Sequence, residues 1–221
     1  MELNLSPVEV RVLGALIEKE FTTPDSYPLS LNALTNACNQ KTSREPVMNL
    51  SENLVLEAVE TLARRGLVAQ RAGSGSRVPK YAHRLDHRLR EEENFSRAEL
   101  AVLSILMLRG PQTAGELRIR TNRMHEFGSS HELEQTLKAL AEERDAPCLL
   151  QLPRQPGQKE TRYVHLLGGE IDPAQFAVAQ TSTPVSDDAA RILELENRVH
   201  SLEQELAALN EQLQAFVRQF D

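Results

Sequence analysis

The chain repeats itself, and any fold must build the same unit twice. LSPVEVRVLGALIEKE (residues 5 to 20) lies over FSRAELAVLSILMLRG (95 to 110), with Ser6 over Ser96, Glu9 over Glu99, and Val12, Leu13 and Leu16 over Val102, Leu103 and Leu106. Each copy opens with serine and carries glutamate three residues on. That spacing forms a capping box, in which the two side chains satisfy orphan amides at a helix start. Pro7 suits the first helical position. Further along, Val55, Val59 and Leu62 match Leu133, Leu137 and Leu140, an apolar stripe at i, i+4, i+7 that faces a core. Ser51 and Ser130 are the expected caps of these helices, and Gly66 the expected stop of the first.

Between the paired helices a shorter one is expected, near residues 30 to 39 and 114 to 124. After them each copy runs into a hairpin, LVAQRAGSGSRVPKYAHRL and CLLQLPRQPGQKETRYVHLL, whose last strands set Lys80, Tyr81, His83 and Leu85 over Arg162, Tyr163, His165 and Leu167. Three helices and a two-stranded hairpin make the winged-helix plan. The expected fold is therefore mainly α with small β-hairpins (α+β). Two tandem winged-helix domains, residues 1–88 and 89–170, are joined through the charged run DHRLREEEN.

From about residue 171 the pattern changes. TSTPVSDD sits in a polar linker, 171–188, and residues 189–221 read as a coiled-coil helix. Ile192, Leu195, Val199, Leu202 and Leu206, then Leu209, Leu213, Phe216 and Phe220, alternate spacings of three and four, a heptad seam. Arg191 would oppose Glu196, and Arg198 would oppose Glu203, in a parallel partner. A homodimer through this helix is expected, the alternative being a helix folded back on its own chain.

The net charge of -7 is uneven: residues 1 to 90 carry 12 Lys/Arg against 10 Asp/Glu, whereas residues 171 to 221 carry 3 against 9. No global field steers the chain to phosphate, so any nucleic-acid contact must be local. Aromatic residues are only 4%, with no tryptophan, which argues against stacking platforms for single strands. Cys38 and Cys148 stand apart from each other and from any Cys/His cluster, which fits a reduced cytoplasmic protein without zinc. The N-terminus lacks an apolar leader and no run is long enough to span a bilayer, so no membrane association is expected.

The stretch RAGSGSRVPKYAH resembles a phosphate loop only in its glycines. GxxxxGK[ST] needs glycine directly before lysine, and Lys80 stands between Pro79 and Tyr81. A mobile hairpin tip explains the glycines better.

For double-stranded DNA, the loop NQKTSR offers the base-reading types Asn39, Gln40 and Arg44 beside the phosphate-binding types Lys41 and Ser43. The first wing adds Arg71, Arg77, Lys80 and Arg84. The second copy offers Arg118, Arg120 and Arg123 near its middle helix and Arg154, Lys159 and Arg162 in its wing. Against groove entry stand Glu52, Glu57 and Glu60 on the third helix of the first copy, and Glu132, Glu134 and Glu142 on its counterpart. The stretch from Asn39 to Ser51 is also longer than a helix-turn-helix turn. Two functions thus stay open: a DNA-binding protein with the role of a transcriptional regulator, working through wings and loop, or a docking module for a protein partner. No enzyme and no cofactor are expected. His83 and His87 sit four apart, but HRLDH lacks the glutamate of HExxH and a third ligand. Tyr81 and Tyr163 read as wing-base core residues, and Cys38 as a small buried hydrophobe.

TTPDSYPLSLNALTNACNQKTSREPVM, followed by LARRGL and PKYAHR, closely resembles the YceH-like family of bacterial proteins. The resemblance spans both repeats and reaches the tail. It implies a tandem winged-helix fold and brings no catalytic residues with it.

Overall fold

A computed structural model describes residues 3–73, 76–86, 94–144, 146–154 and 160–169. The expected linker at 171–188, the coiled-coil helix at 189–221 and the junction around residue 88 lie outside the described residues.

The first copy runs α1 (Pro7–Thr22), a 3-10 turn (Pro24–Ser26), β1 (Leu29–Ser30), α2 (Leu31–Cys38), α3 (Glu52–Arg64), β2 (Val68–Gly73) and β3 (Ser76–His83). The second runs α4 (Arg97–Arg109), β4 (Gln112–Thr113), α5 (Ala114–Thr121), α6 (Ser130–Glu142), β5 (Leu149–Gln151) and β6 (Arg162–His165). Both sheets are antiparallel and have the same order, β1-β3-β2 and β4-β6-β5. Their registers agree: Leu29 pairs Tyr81 as Gln112 pairs Tyr163, and Val68 pairs His83 as Leu149 pairs His165. The chain is thus a mixed α and β protein in which each hairpin gains a third, two-residue strand.

The capping boxes form. Ser6 N donates to Glu9 Oε2 at 2.7 Å and Ser96 N to Glu99 Oε2 at 2.7 Å. A third, not anticipated, starts α5, where Thr113 N donates to Glu116 Oε2 at 2.9 Å and Glu116 N to Thr113 Oγ1 at 3.2 Å. Ser51 caps α3 as expected, but α6 is capped by Ser129, not Ser130, with Glu132 N donating to Ser129 Oγ at 3.1 Å. Gly66 follows the C-cap of α3 at φ 71°, the left-handed conformation only glycine adopts without strain.

The expected stripes are buried, with Val55, Val59, Leu62, Leu133, Leu137 and Leu140 all at 3% exposure or less. α1 and α4 differ from these helices in being covered all round, with Val12, Leu13, Ala15, Leu16 and Ile17 fully buried in one and Ala101, Val102, Leu103 and Leu106 in the other. A helix apolar on every face needs neighbours on every side. α1 packs on α2 and α3 of its own copy and on α4 of the other, so one continuous core serves both copies. The described residues accordingly belong to one compact unit. The helices meet closely at Gly14, where an added Cβ would lie 3.0 Å from Met107 Cβ, and Ser104 Oγ donates to Gly14 O at 3.1 Å. Two backbone bonds brace the same seam, Leu5 N to Leu167 O and Glu45 N to Leu108 O, both 2.8 Å.

Candidate functional site

The long stretch between α2 and α3 closes on itself at its neck. Asn39 Nδ2 donates to Leu50 O at 2.8 Å and Leu50 N donates back to Asn39 Oδ1 at 2.7 Å, so residues 40 to 49 form a loop pinched at its base. One amide side chain satisfies both backbone groups that the excursion would leave unpaired.

Inside the loop, Arg44 turns inward. Its side chain has no exposure, and it grips Glu18 with Nη2 on Oε2 at 2.6 Å and Nη1 on Oε1 at 3.1 Å. Nε and Nη2 also donate to Ala37 O, at 3.0 and 2.8 Å, and Nη2 to Gln40 Oε1 at 2.9 Å. Burial pushes the Glu18 carboxyl up, but the hydrogen-bonded, charged Arg44 outweighs it and leaves Glu18 below the usual carboxylate range. Gln40 also accepts from Lys19 Nζ at 3.4 Å, and Ser43 Oγ accepts from Arg109 Nη2 at 2.7 Å. Of the five loop residues expected to touch DNA, Lys41 alone is exposed. Asn39, Gln40 and Arg44, expected to read bases, are engaged here in bonds within the loop and to α1 and α2 of the first copy, while Ser43 bonds across the seam.

The first hairpin presents a different arrangement. Arg71 on β2 and Lys80 on β3 are directly paired across the strands, so their side chains share one face of the sheet. Arg71 is exposed and Lys80 half-buried, and neither is ion-paired with a described acid. Like charges directly opposite destabilise a strand pair unless something anionic lies over them. Arg77 lies on β3, and Arg84 follows it, half-buried, with its amide on Leu67 O at 2.9 Å.

In the second copy, Glu116 gathers much of the expected positive charge. Arg120 Nη2 lies 3.3 Å from its Oε1 and Arg162 Nη1 lies 3.3 Å from its Oε2, the latter also donating to Pro111 O at 3.0 Å. Arg118, which reaches Ser130 Oγ at 3.3 Å, Arg123 and Arg154 are exposed. Lys159 lies outside the described residues, as do Ile192, Leu195, Val199, Leu202, Leu206, Leu209, Leu213, Phe216 and Phe220. The acidic surface is as expected on α3, where Glu52, Glu57 and Glu60 are exposed; on α6 Glu134 and Glu142 are exposed, while Glu132 accepts from Gly128 N at 2.8 Å.

His83 is on β3 with its side chain buried. Nδ1 accepts from Leu85 N at 3.3 Å, which leaves Nε2 to donate to Glu20 Oε2 at 2.6 Å, so both ring nitrogens are occupied. Its backbone amide donates to the Tyr27 hydroxyl at 2.8 Å. His87 lies outside the described residues. Tyr81 is buried at the hairpin base, Tyr163 is half-buried, and Cys38 is fully buried, its thiol pushed up to about 12 by burial against the opposing pull of Arg44 and Arg11. Sequence reading passed over Arg11 and Glu18. The available signal was charge inside α1: Arg11 stands between Val10 and Val12, and Glu18 opens the EKE block after an apolar run.

Two copies of one helix-rich unit, each with its own small antiparallel sheet and both sharing one core, define an internally duplicated α and β protein. The chain belongs to the family described as "Protein of unknown function, DUF480", which it matches over residues 5–158. It is 49% identical to a UPF0502 protein of Vibrio vulnificus over 95% of this chain and 96% of that one. It is 48% identical to a UPF0502 protein of Aeromonas hydrophila (96% and 98% covered) and 50% identical to one of Geobacter sulfurreducens (95% and 91%). No described helix is long and apolar enough to cross a membrane.

Proposed function

We propose that each copy is a winged-helix unit, with β2–β3 and β5–β6 as its wings, and that the protein binds double-stranded DNA as a cytoplasmic regulator. The observation that carries this reading is the Arg71–Lys80 cross-strand pair, two like charges on one sheet face, neither ion-paired with a described acid. A phosphate backbone supplies the missing charge and turns an unfavourable pair into a favourable one. Lys41 at the loop, and Arg118 and Arg123 in the second copy, add further exposed cations, whereas Arg44 takes no part. The acid on α3 opposes insertion into a groove lined with phosphates, so the wing leads and the third helix does not. Backbone contacts of this kind give affinity with little sequence preference. A parallel coiled coil through residues 189–221 would bring two such chains together.

The exposed α3 face favours one other reading. Leu54 is 45% exposed beside Glu52, Glu57 and Glu60, an acidic surface with an apolar anchor that suits a basic protein partner.

Fluorescence anisotropy with a mixed-sequence duplex between about 50 and 200 mM KCl separates the two. Binding that weakens steeply with salt is expected, and the R71A/K80A double variant should reduce the slope of log K against log salt by about 2, close to one unit per lost phosphate contact. No binding, or affinity indifferent to salt, overturns the DNA reading.

A further inference from the structure

The seam between the copies holds a cleft of about 260 Å³, walled by the start of α1, the 45 to 48 stretch of the loop, α4 and the end of β6. Its walls are largely apolar, with Leu5, Val10, Met48 and Met107 among them. Two polar atoms of cleft-lining residues are buried without a hydrogen-bond partner, Arg11 Nε and His165 Nδ1.

Arg11 is 1% exposed, and its other two nitrogens donate to the carbonyls of Cys38 at 3.1 Å and Pro46 at 2.6 Å. Carbonyls satisfy hydrogens but leave the charge standing, and no described carboxylate forms an ion pair with this guanidinium. Arg44, whose charge acts on Arg11, is matched by Glu18, so that carboxylate is already committed and does not neutralise Arg11. Glu45 also lines the cleft, but it is exposed and its charge is screened by water. A buried, unneutralised charge is costly, and an anion that reaches it removes that cost. Burial lowers His165 to about 4, which keeps the ring neutral at pH 7 and lets Nδ1 either donate or accept.

We propose that this cleft is a binding site for a small organic anion, a carboxylate on a compact apolar body, with the carboxylate on Arg11 and His165 and the body against Val10, Met48 and Met107. The cleft falls just below the roughly 300–1,000 Å³ of drug-sized sites, which suits a molecule of benzoate size. Because Met48 and Arg11 come from one copy and Met107 and His165 from the other, the occupant ties the copies together. The site is separate from the first hairpin and does not depend on DNA binding.

The chain has 4 methionines, two of them in the cleft, while the buried Met124 serves as a control elsewhere in the fold. Methyl-labelled methionine NMR of the full chain, titrated with benzoate, hexanoate and the neutral benzyl alcohol, reads the site directly. Saturable shifts of the Met48 and Met107 methyls with either acid, leaving Met124 in place, are expected, with benzyl alcohol weaker by about tenfold or more, as loss of a charged hydrogen bond implies. His165→Leu should weaken the acids by about tenfold. Arg11→Met should abolish binding, and if that variant does not fold, His165→Leu still decides. Absence of saturable shifts at about 10 mM acid, a range in which even millimolar affinity would be seen, overturns the proposal. Equal binding of benzyl alcohol, or unchanged affinity in folded His165→Leu, does the same.

Discussion

At the scale of single residues, Arg44 shows how a side chain's chemistry can be read correctly and its address missed. Arginine beside asparagine, glutamine and lysine in a loop before a helix fits base recognition, yet here it closes on Glu18 of α1, 26 positions away, with two nitrogens on two oxygens. The cue lay in the EKE block of the first helix, but a contact over that separation leaves no periodic trace in a sequence. Removing the guanidinium would strand a mostly buried carboxylate. Arg44→Ala should therefore cost about 3–5 kcal/mol, read from urea denaturation, whereas the paired change E18Q/R44M should cost clearly less. If Arg44→Ala left stability unchanged while abolishing DNA binding, the residue would belong to the interface after all.

At the scale of elements, what repeats or is periodic was legible, because a helix stripe or a capping box is written within one or two turns. The stripes at Val55–Val59–Leu62 and Leu133–Leu137–Leu140 are buried as their spacing requires. The Thr113–Glu116 box is written just as locally, in TAGE. Boundaries were less secure. With two adjacent serines at the start of α6, local sequence does not choose between them, and backbone geometry selects Ser129 as the cap, with Ser130 the first helical residue. Ser129→Ala should cost about 1 kcal/mol by chemical denaturation, and Ser130→Ala less than about 0.5. Equal losses would refute the assignment. The pinched loop was beyond sequence reading for another reason. Its length is unusual for a helix-turn-helix turn, and only the Asn39–Leu50 clasp shows that residues 40 to 49 are pinched at their base.

At the scale of the whole molecule, duplication was evident from the repeat, but the sharing of a core was not. Identical apolar patterns are compatible with two separate cores or with one, and only the burial of α1 and α4 on all sides distinguishes them. It follows that the first copy alone cannot cover α1. A fragment ending near residue 90 should lack cooperative thermal unfolding and bind a hydrophobic dye, while the full chain should show one transition for its two copies. Cooperative melting of the fragment would mean the seam is dispensable. The bond from Leu5 to Leu167 sets a timetable as well. On the ribosome, the chain's first helix emerges long before its final neighbours exist. At about 5–20 residues per second the nascent protein must keep an apolar segment in hand on the order of ten seconds, a window in which chaperones rather than packing protect it.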